Sequence, residues 1–317
     1  VHANLSINVG GNITSTSAED TISEDVSGKV PKSKDGLVWH SPGAIIDIDG
    51  DVDGATAATG LWIDNLIDML KSFRLQVVLP GEPAIGGKVY DAFDIEGEGM
   101  WLIRAMQKRI LVNDPSIASD ADDEPIRVSI FLPFALDGRD TFWPNVIPIA
   151  RIKTATLVYD ASKKHDNTTV NNNTVSLRFP IVKAVSEQPY VPVSWVQRTG
   201  YGNQKIESPA ELVQSAFVLN TKAGNANKYV EVTADVLELD AAPGPLLLSR
   251  WIDMMGFTDV NDDVNLDAPE VVCDYVHPLL DAAHHGPSSG VRGPITWTFD
   301  ANSPASATVL WRTRPGA

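Results

Sequence analysis

Pro125-Ile-Arg-Val-Ser-Ile-Phe-Leu-Pro-Phe-Ala-Leu-Asp-Gly-Arg-Asp-Thr-Phe-Trp-Pro144, followed by Ile152-Lys-Thr-Ala-Thr-Leu-Val-Tyr159, decides how the chain is read. From Ile126 to Phe134 the residues are mostly β-branched or large and apolar, and Pro133, Gly138 and Pro144 then interrupt them. The stretch reads as one long strand, an exposed turn, and a return strand that closes a roll. Working outward, the same signal predicts strands at Leu5–Thr14, Leu37–His40, Ala44–Asp49, Phe73–Leu79, Val175–Ile181, Tyr190–Gln197, Ala216–Asn220, Tyr229–Leu239, Glu270–Val276, Ile295–Phe299 and Ala307–Arg312. Four segments read as helices. Leu61–Ser72 and Met100–Ile110 carry apolar residues on one helical face. Ser208-Pro-Ala-Glu211 has a helix-start signature, and Pro245–Met255 is stopped by Gly256.

The chain is therefore expected to be all-β with a few short helices inserted between strands. The polar run Ala161–Thr174 reads as a linker that divides it nearly in half, into units 1–163 and 164–317. The halves show matching segments at nearly one offset. Asp94-Ile-Glu-Gly97 before an apolar helix pairs with Glu238-Leu-Asp240. Ile130–Asp137 pairs with Tyr275–Asp281, and Ile152–Tyr159 with Ala305–Trp311. Three pairs in the same order suggest a duplicated β unit. Some eight strands with inserted helices fit a jelly roll, a two-sheet sandwich of paired Greek keys, better than an immunoglobulin-like pair.

Charge and composition narrow the function. The 317 residues include 25 Lys+Arg against 41 Asp+Glu, a formal net charge of -16, which disfavours direct nucleic-acid binding. No apolar run approaches the roughly 18 residues of a membrane-spanning helix, and the stretch Val1–Ser6 lacks the features of a secretory signal, so a soluble protein is expected. The single cysteine, Cys273, sits in an apolar stretch and cannot form an internal disulfide.

Two tandem β units joined by a polar linker, each with a helix between strands, resemble the double jelly-roll major capsid proteins of tailless icosahedral viruses, the lineage of the tectivirus and corticovirus bacteriophages. The stretch Pro125–Pro144 with Ile152–Tyr159 carries most of that resemblance, which extends in pattern and length over most of the chain. It implies two upright jelly rolls per subunit and a pseudo-hexagonal homotrimer. Trimers would contact neighbouring capsomers and minor capsid or vertex proteins in a virion shell, often over an internal membrane. The polar stretch Ser15–Asp35 is expected to be either an arm that orders on assembly or a loop between strands.

Oxygen-rich segments are the candidate cation sites. Asp47, Asp49, Asp51 and Asp53 alternate, and Asp49-Gly-Asp-Val-Asp-Gly54 matches the start of a calcium loop, but Gly60 stands where the closing Glu should be. This is therefore not an EF-hand, and the segment is either a calcium site of another geometry or an acidic strand end and turn. Asp259, Asn261 and Asp263 form a second candidate calcium segment, with an ordinary solvated loop as its alternative. His277, His284 and His285 lack the partners of a metal centre.

Catalytic patterns fail on context. Gly286-Pro-Ser288-Ser-Gly290 lacks the strand and helix that a nucleophile elbow needs, and no phosphate-cradling loop is present. Asp94, Glu96 and Glu98 alternate in a pattern that fits either a glycosidase acid/base pair or a charged rim. Of eight Trp, Trp143 lies in the expected turn and suits sugar stacking or a protein contact, whereas Trp62, Trp101 and Trp251 suit core or subunit interface. The sequence thus points to a structural capsid subunit without catalytic residues. The alternative is a two-domain β-sandwich glycan-binding protein, and a calcium-dependent hydrolase ranks behind both.

Overall fold

Alternating side chains set the strands. In β9 (Ile152–Asp160) Ala155, Leu157 and Tyr159 are fully buried while Thr154, Thr156 and Val158 between them are partly exposed, the period of two expected when one face of a sheet is covered. The computed structural model describes residues 6–13, 19–30, 35–54, 69–97, 99–100, 103, 124–134, 146–160, 168–201, 206–208, 212–219, 229–234, 273–276, 291–292, 295–299 and 306–315. The chain forms two compact units, Val1–Val191 and Pro192–Ala317.

Eight long strands build the first unit: β1 (Ser6–Ile13), β2 (Glu19–Asp25), β4 (Gly43–Gly54), β5 (Leu70–Val78), β6 (Val89–Ile95), β7 (Glu124–Pro133), β9 and β10 (Thr168–Pro180). One sheet runs β1-β10-β4-β7, and in the other β2, β9, β5 and β6 are successive neighbours, all antiparallel. Counted along the chain, the orders are first-eighth-third-sixth and second-seventh-fourth-fifth, the connectivity of a jelly roll. Between the sheets lie Ile46, Ile48, Ile130, Leu132, Leu177 and Phe179 from one side and Phe73, Leu75, Phe93 and Leu157 from the other. The Phe93 ring stands 6.1 Å from that of Phe134, which follows β7, and 5.6 Å from Phe73. A small sheet of β11 (Val182–Ala184), β3 (Val38–Ser41) and β8 (Ile147–Pro148) completes this unit.

The second unit repeats the order. Strands β12 (Ser194–Tyr201), β19 (Ser306–Arg314), β14 (Leu212–Leu219) and β16 (Cys273–Val276) are neighbours in that sequence, and β17 (Val291–Arg292) also pairs with β14. The second sheet is β13 (Ile206–Glu207), β18 (Ile295–Phe299) and β15 (Tyr229–Ala234). Counted along the described strands, the eighth (β19) again lies between the first (β12) and the third (β14), and the second sheet runs second-seventh-fourth. Trp195 and Trp311 are buried in this unit.

The structure departs from the sequence reading in four places. The division after Val191 lies beyond the expected boundary at 163/164, because β10 inserts between β1 and β4 and residues 168–174 of the expected linker belong to it. Ile152–Tyr159 is the seventh strand of its roll, whereas Ala305–Trp311 falls on the eighth strand of the other, so that repeat pairing is off by one strand. Of the pairing of Ile130–Asp137 with Tyr275–Asp281, residues 135–137 and 277–281 lie outside the described residues, as does Glu238–Asp240, while β16 pairs with β14 as β7 pairs with β4. Leu70–Ser72, expected to end a helix, begins β5, because the pairing of Leu70 and Ser72 to β9 outweighs local helical periodicity. Nor does a helix run on from Ser208-Pro-Ala-Glu211, since Leu212–Leu219 is β14. Helical residues at Gly97, Gly99, Met100 and Ile103 follow β6, as expected near Met100, while Pro245–Met255 lies outside the described residues.

Emptying this core has a calculable effect. Leu157→Ala and Ile46→Ala are each expected to destabilise the first roll by about 2–5 kcal/mol, and exposed Val185→Ala by less than about 0.5 kcal/mol, read as shifts in urea-unfolding free energy. Equal effects at the three positions would contradict the sandwich.

Candidate functional site

The acidic run of β4 lies inside a sheet, with β10 on one side and β7 on the other. Ile46 and Ile48 face the core, which turns Asp47 to the opposite face, yet Asp47 is only 5% exposed. Its cross-strand neighbours are Ser129 on β7 and Ser176 on β10. The Ser129 hydroxyl donates to Oδ1 of Asp47, and Nε of Arg178 lies 3.3 Å from Oδ2. Asp47 thus accepts a hydrogen bond from Ser129 and is ion-paired with Arg178.

Asp49, Asp51 and Asp53 continue along β4, opposite Thr174, Asn171 and Thr169 of β10. Asp259, Asn261 and Asp263 lie outside the described residues, as do Glu98, Trp62, Trp101, Trp143, Trp251, His277, His284, His285 and Ser288. Among the described residues no three His, Cys, Asp or Glu side chains are grouped to hold a metal. Asp94 is half-buried on β6, and Glu96 is exposed just beyond it, its carboxyl raised by partial desolvation and by the Asp94 charge.

A second polar cluster gathers where β3, β11 and the chain after β11 meet. His40 is fully buried on β3, opposite Val182 of β11 and Pro148 of β8. Its Nε2 accepts the Gln188 N–H at 3.0 Å, and its Nδ1 lies 3.1 Å from the Val38 carbonyl. An imidazole that accepts at Nε2 and donates at Nδ1 is neutral. Burial lowers the His40 pKa from the ordinary 6.5, against the opposing pull of the Val38 carbonyl and the Glu187 charge.

Arg151 donates from Nε to Glu187 and from Nη1 to the Glu82 carbonyl, and the Tyr190 hydroxyl donates to the Val78 carbonyl. Burial raises both Tyr190 and Tyr90, and the Tyr90 hydroxyl has no hydrogen-bond partner among the described residues. Lys183 holds its ammonium 4.2 Å above the Trp39 ring and pairs with Asp35. Sequence reasoning missed this cluster, whose members come from four separated stretches with no shared spacing.

No protein-family model matches the chain, and no curated protein matches it in sequence. Solved structures do match it. The crystal structure of the STIV major capsid protein aligns over 98% of this chain and 96% of its own, with a TM-score of 0.57 at 9% identity. A structure of Sulfolobus turreted icosahedral virus aligns over 98% of this chain and 91% of its own, with a TM-score of 0.58 at 9% identity. The fold is the double jelly roll. Both alignments cover nearly the whole of each chain.

Asp47 provides a test of the acidic strand. Because Ser129 and Arg178 already occupy its oxygens, Asp47→Ala is expected to destabilise the first roll by about 1–3 kcal/mol with calcium or with a chelator alike. A loss seen only in calcium would instead make Asp47 a ligand.

Proposed function

We propose that the chain is the major capsid subunit of a tailless icosahedral virus, working in the virion shell as a homotrimer of pseudo-hexagonal outline. The observation that carries this reading is the two-roll correspondence with the STIV major capsid protein over 98% of this chain and 96% of that one. A subunit of two similar rolls suits the role, since three copies place six similar β units around one axis and so fill a hexagonal lattice. Closed symmetry of this kind calls for interfaces of about 1,200–2,000 Å² between subunits.

Such a subunit works by burying surface against copies of itself, neighbouring trimers and the minor or vertex proteins where sixfold packing ends. It performs no turnover. The net charge of -16 supports a shell that does not touch the genome directly, as when an internal membrane lies between them. A matched structure comes from a Sulfolobus virus, so the bacteriophage host implied by the tectivirus resemblance is not required.

Light scattering after size-exclusion chromatography tests the reading. With a subunit of 34.2 kDa, a trimer is three times that, about 103 kDa, and it should show a hexagonal outline in negative stain. A monomer over a hundredfold range of concentration would overturn the proposal.

A further inference from the structure

The segment that leads out of the first roll is fastened to it by a ladder of polar contacts. Lys183 pairs with Asp35 at 2.8 Å, Glu187 takes Arg151, the Gln188 N–H donates to His40 Nε2, and the Tyr190 hydroxyl donates to the Val78 carbonyl. One residue later, at Val191, the first compact unit ends. Apart from these anchors the segment has little holding it: Val185, Ser186 and Glu187 are exposed, and no strand of the described residues pairs with 185–190.

Of the anchors, the His40 contact alone uses a titratable nitrogen as acceptor. We infer that His40 is an acid-released latch: protonation of its Nε2 removes the acceptor of the Gln188 N–H and frees residues 185–188 from the first roll. Once both ring nitrogens carry protons, Nε2 faces the Gln188 amide donor to donor, and one of the two has to move.

The charged surroundings set where the imidazolium turns. Glu187, on the latched segment, is the charge that favours it, and Arg151 now holds that carboxylate. On β11 the Lys183 ammonium is occupied by Asp35 and the Trp39 ring, and β8 places the uncharged Pro148 opposite His40. An imidazolium therefore draws Glu187 away from Arg151, undoing a second anchor. Burial depresses the native-state titration of His40, so the stability that the neutral ring contributes is fully present above 6.5 and is lost as pH falls to the lowered native value. The latch belongs to the first roll and does not depend on assembly into a shell.

Hydrogen exchange by NMR from pH 7.5 to 4.5, normalised to intrinsic rates, tests the latch. In the full chain, protection of the Gln188 amide should fall at least tenfold along with the protonation of His40, read from its imidazole ¹⁵N shifts, while amides of β4 hold. His40→Gln keeps an acceptor that does not titrate in this range, and should abolish the step. Protection that persists after His40 is protonated, or a step retained in His40→Gln, would overturn the inference. If that variant fails to fold, the wild-type chain still decides, since different midpoints for the His40 shift and the amide protection would sink it.

Discussion

The pairing of the last strand of each roll between its first and third holds the architecture together. In the first roll β10 takes β1 on one edge and β4 on the other, and Ser6 meets Pro180 across 174 residues (180 − 6). Nothing local brings these strands together. The pairing forms only after the intervening chain has been laid down, so a long loop closes before it is stabilised, the signature of a high-contact-order, slow-folding topology. Without β10 the backbone groups of β1 and β4 facing it would lose their partners, and Ile46, Ile48 and Ile7 would lose the Leu177, Val175 and Phe179 cover beside them.

The same constraint explains the second roll and the segment between them. Strand β19 stands between β12 and β14 as β10 does between β1 and β4. Each roll is complete only when its final strand returns to its first, so the chain leaves a finished sandwich at Pro180 and then runs along it through β11 to Val191. That exit is held by His40, Arg151 and Tyr190 as polar anchors rather than by a long ladder.

Much of this was legible from the residues. Ile126–Phe134 and Ile152–Tyr159 alternate strongly enough to be read as strands, and the number of strands with their turn residues pointed to jelly rolls. The domain boundary was not legible, because Thr168–Thr174 is composed like a linker: Asn171, Asn172 and Asn173 favour turns, and only pairing with β4, through a register shift between Asn171 and Thr174, makes them strand. The off-by-one repeat has a related cause, since loops of unequal length between equivalent strands destroy any constant offset. At Asp47 the alternation was visible but its meaning was not, because Ser129 and Arg178 come from strands distant in sequence. His40 gave no signal at all, since its partner is a backbone amide 148 residues away.

Strand order is the central claim, and an engineered cross-link reads it directly. Ile45 and Arg178 are opposed in register across β4 and β10. Directly opposed residues of antiparallel strands have Cα separations of about 4.5–5.5 Å, within disulfide reach. With Cys273 replaced by Ser, an Ile45→Cys, Arg178→Cys chain should close an intramolecular disulfide on mild oxidation, seen as faster migration without reductant and as the linked peptides by mass spectrometry. A chain that stays reduced, or links only between molecules, would place residues 168–180 outside the first roll and contradict the account.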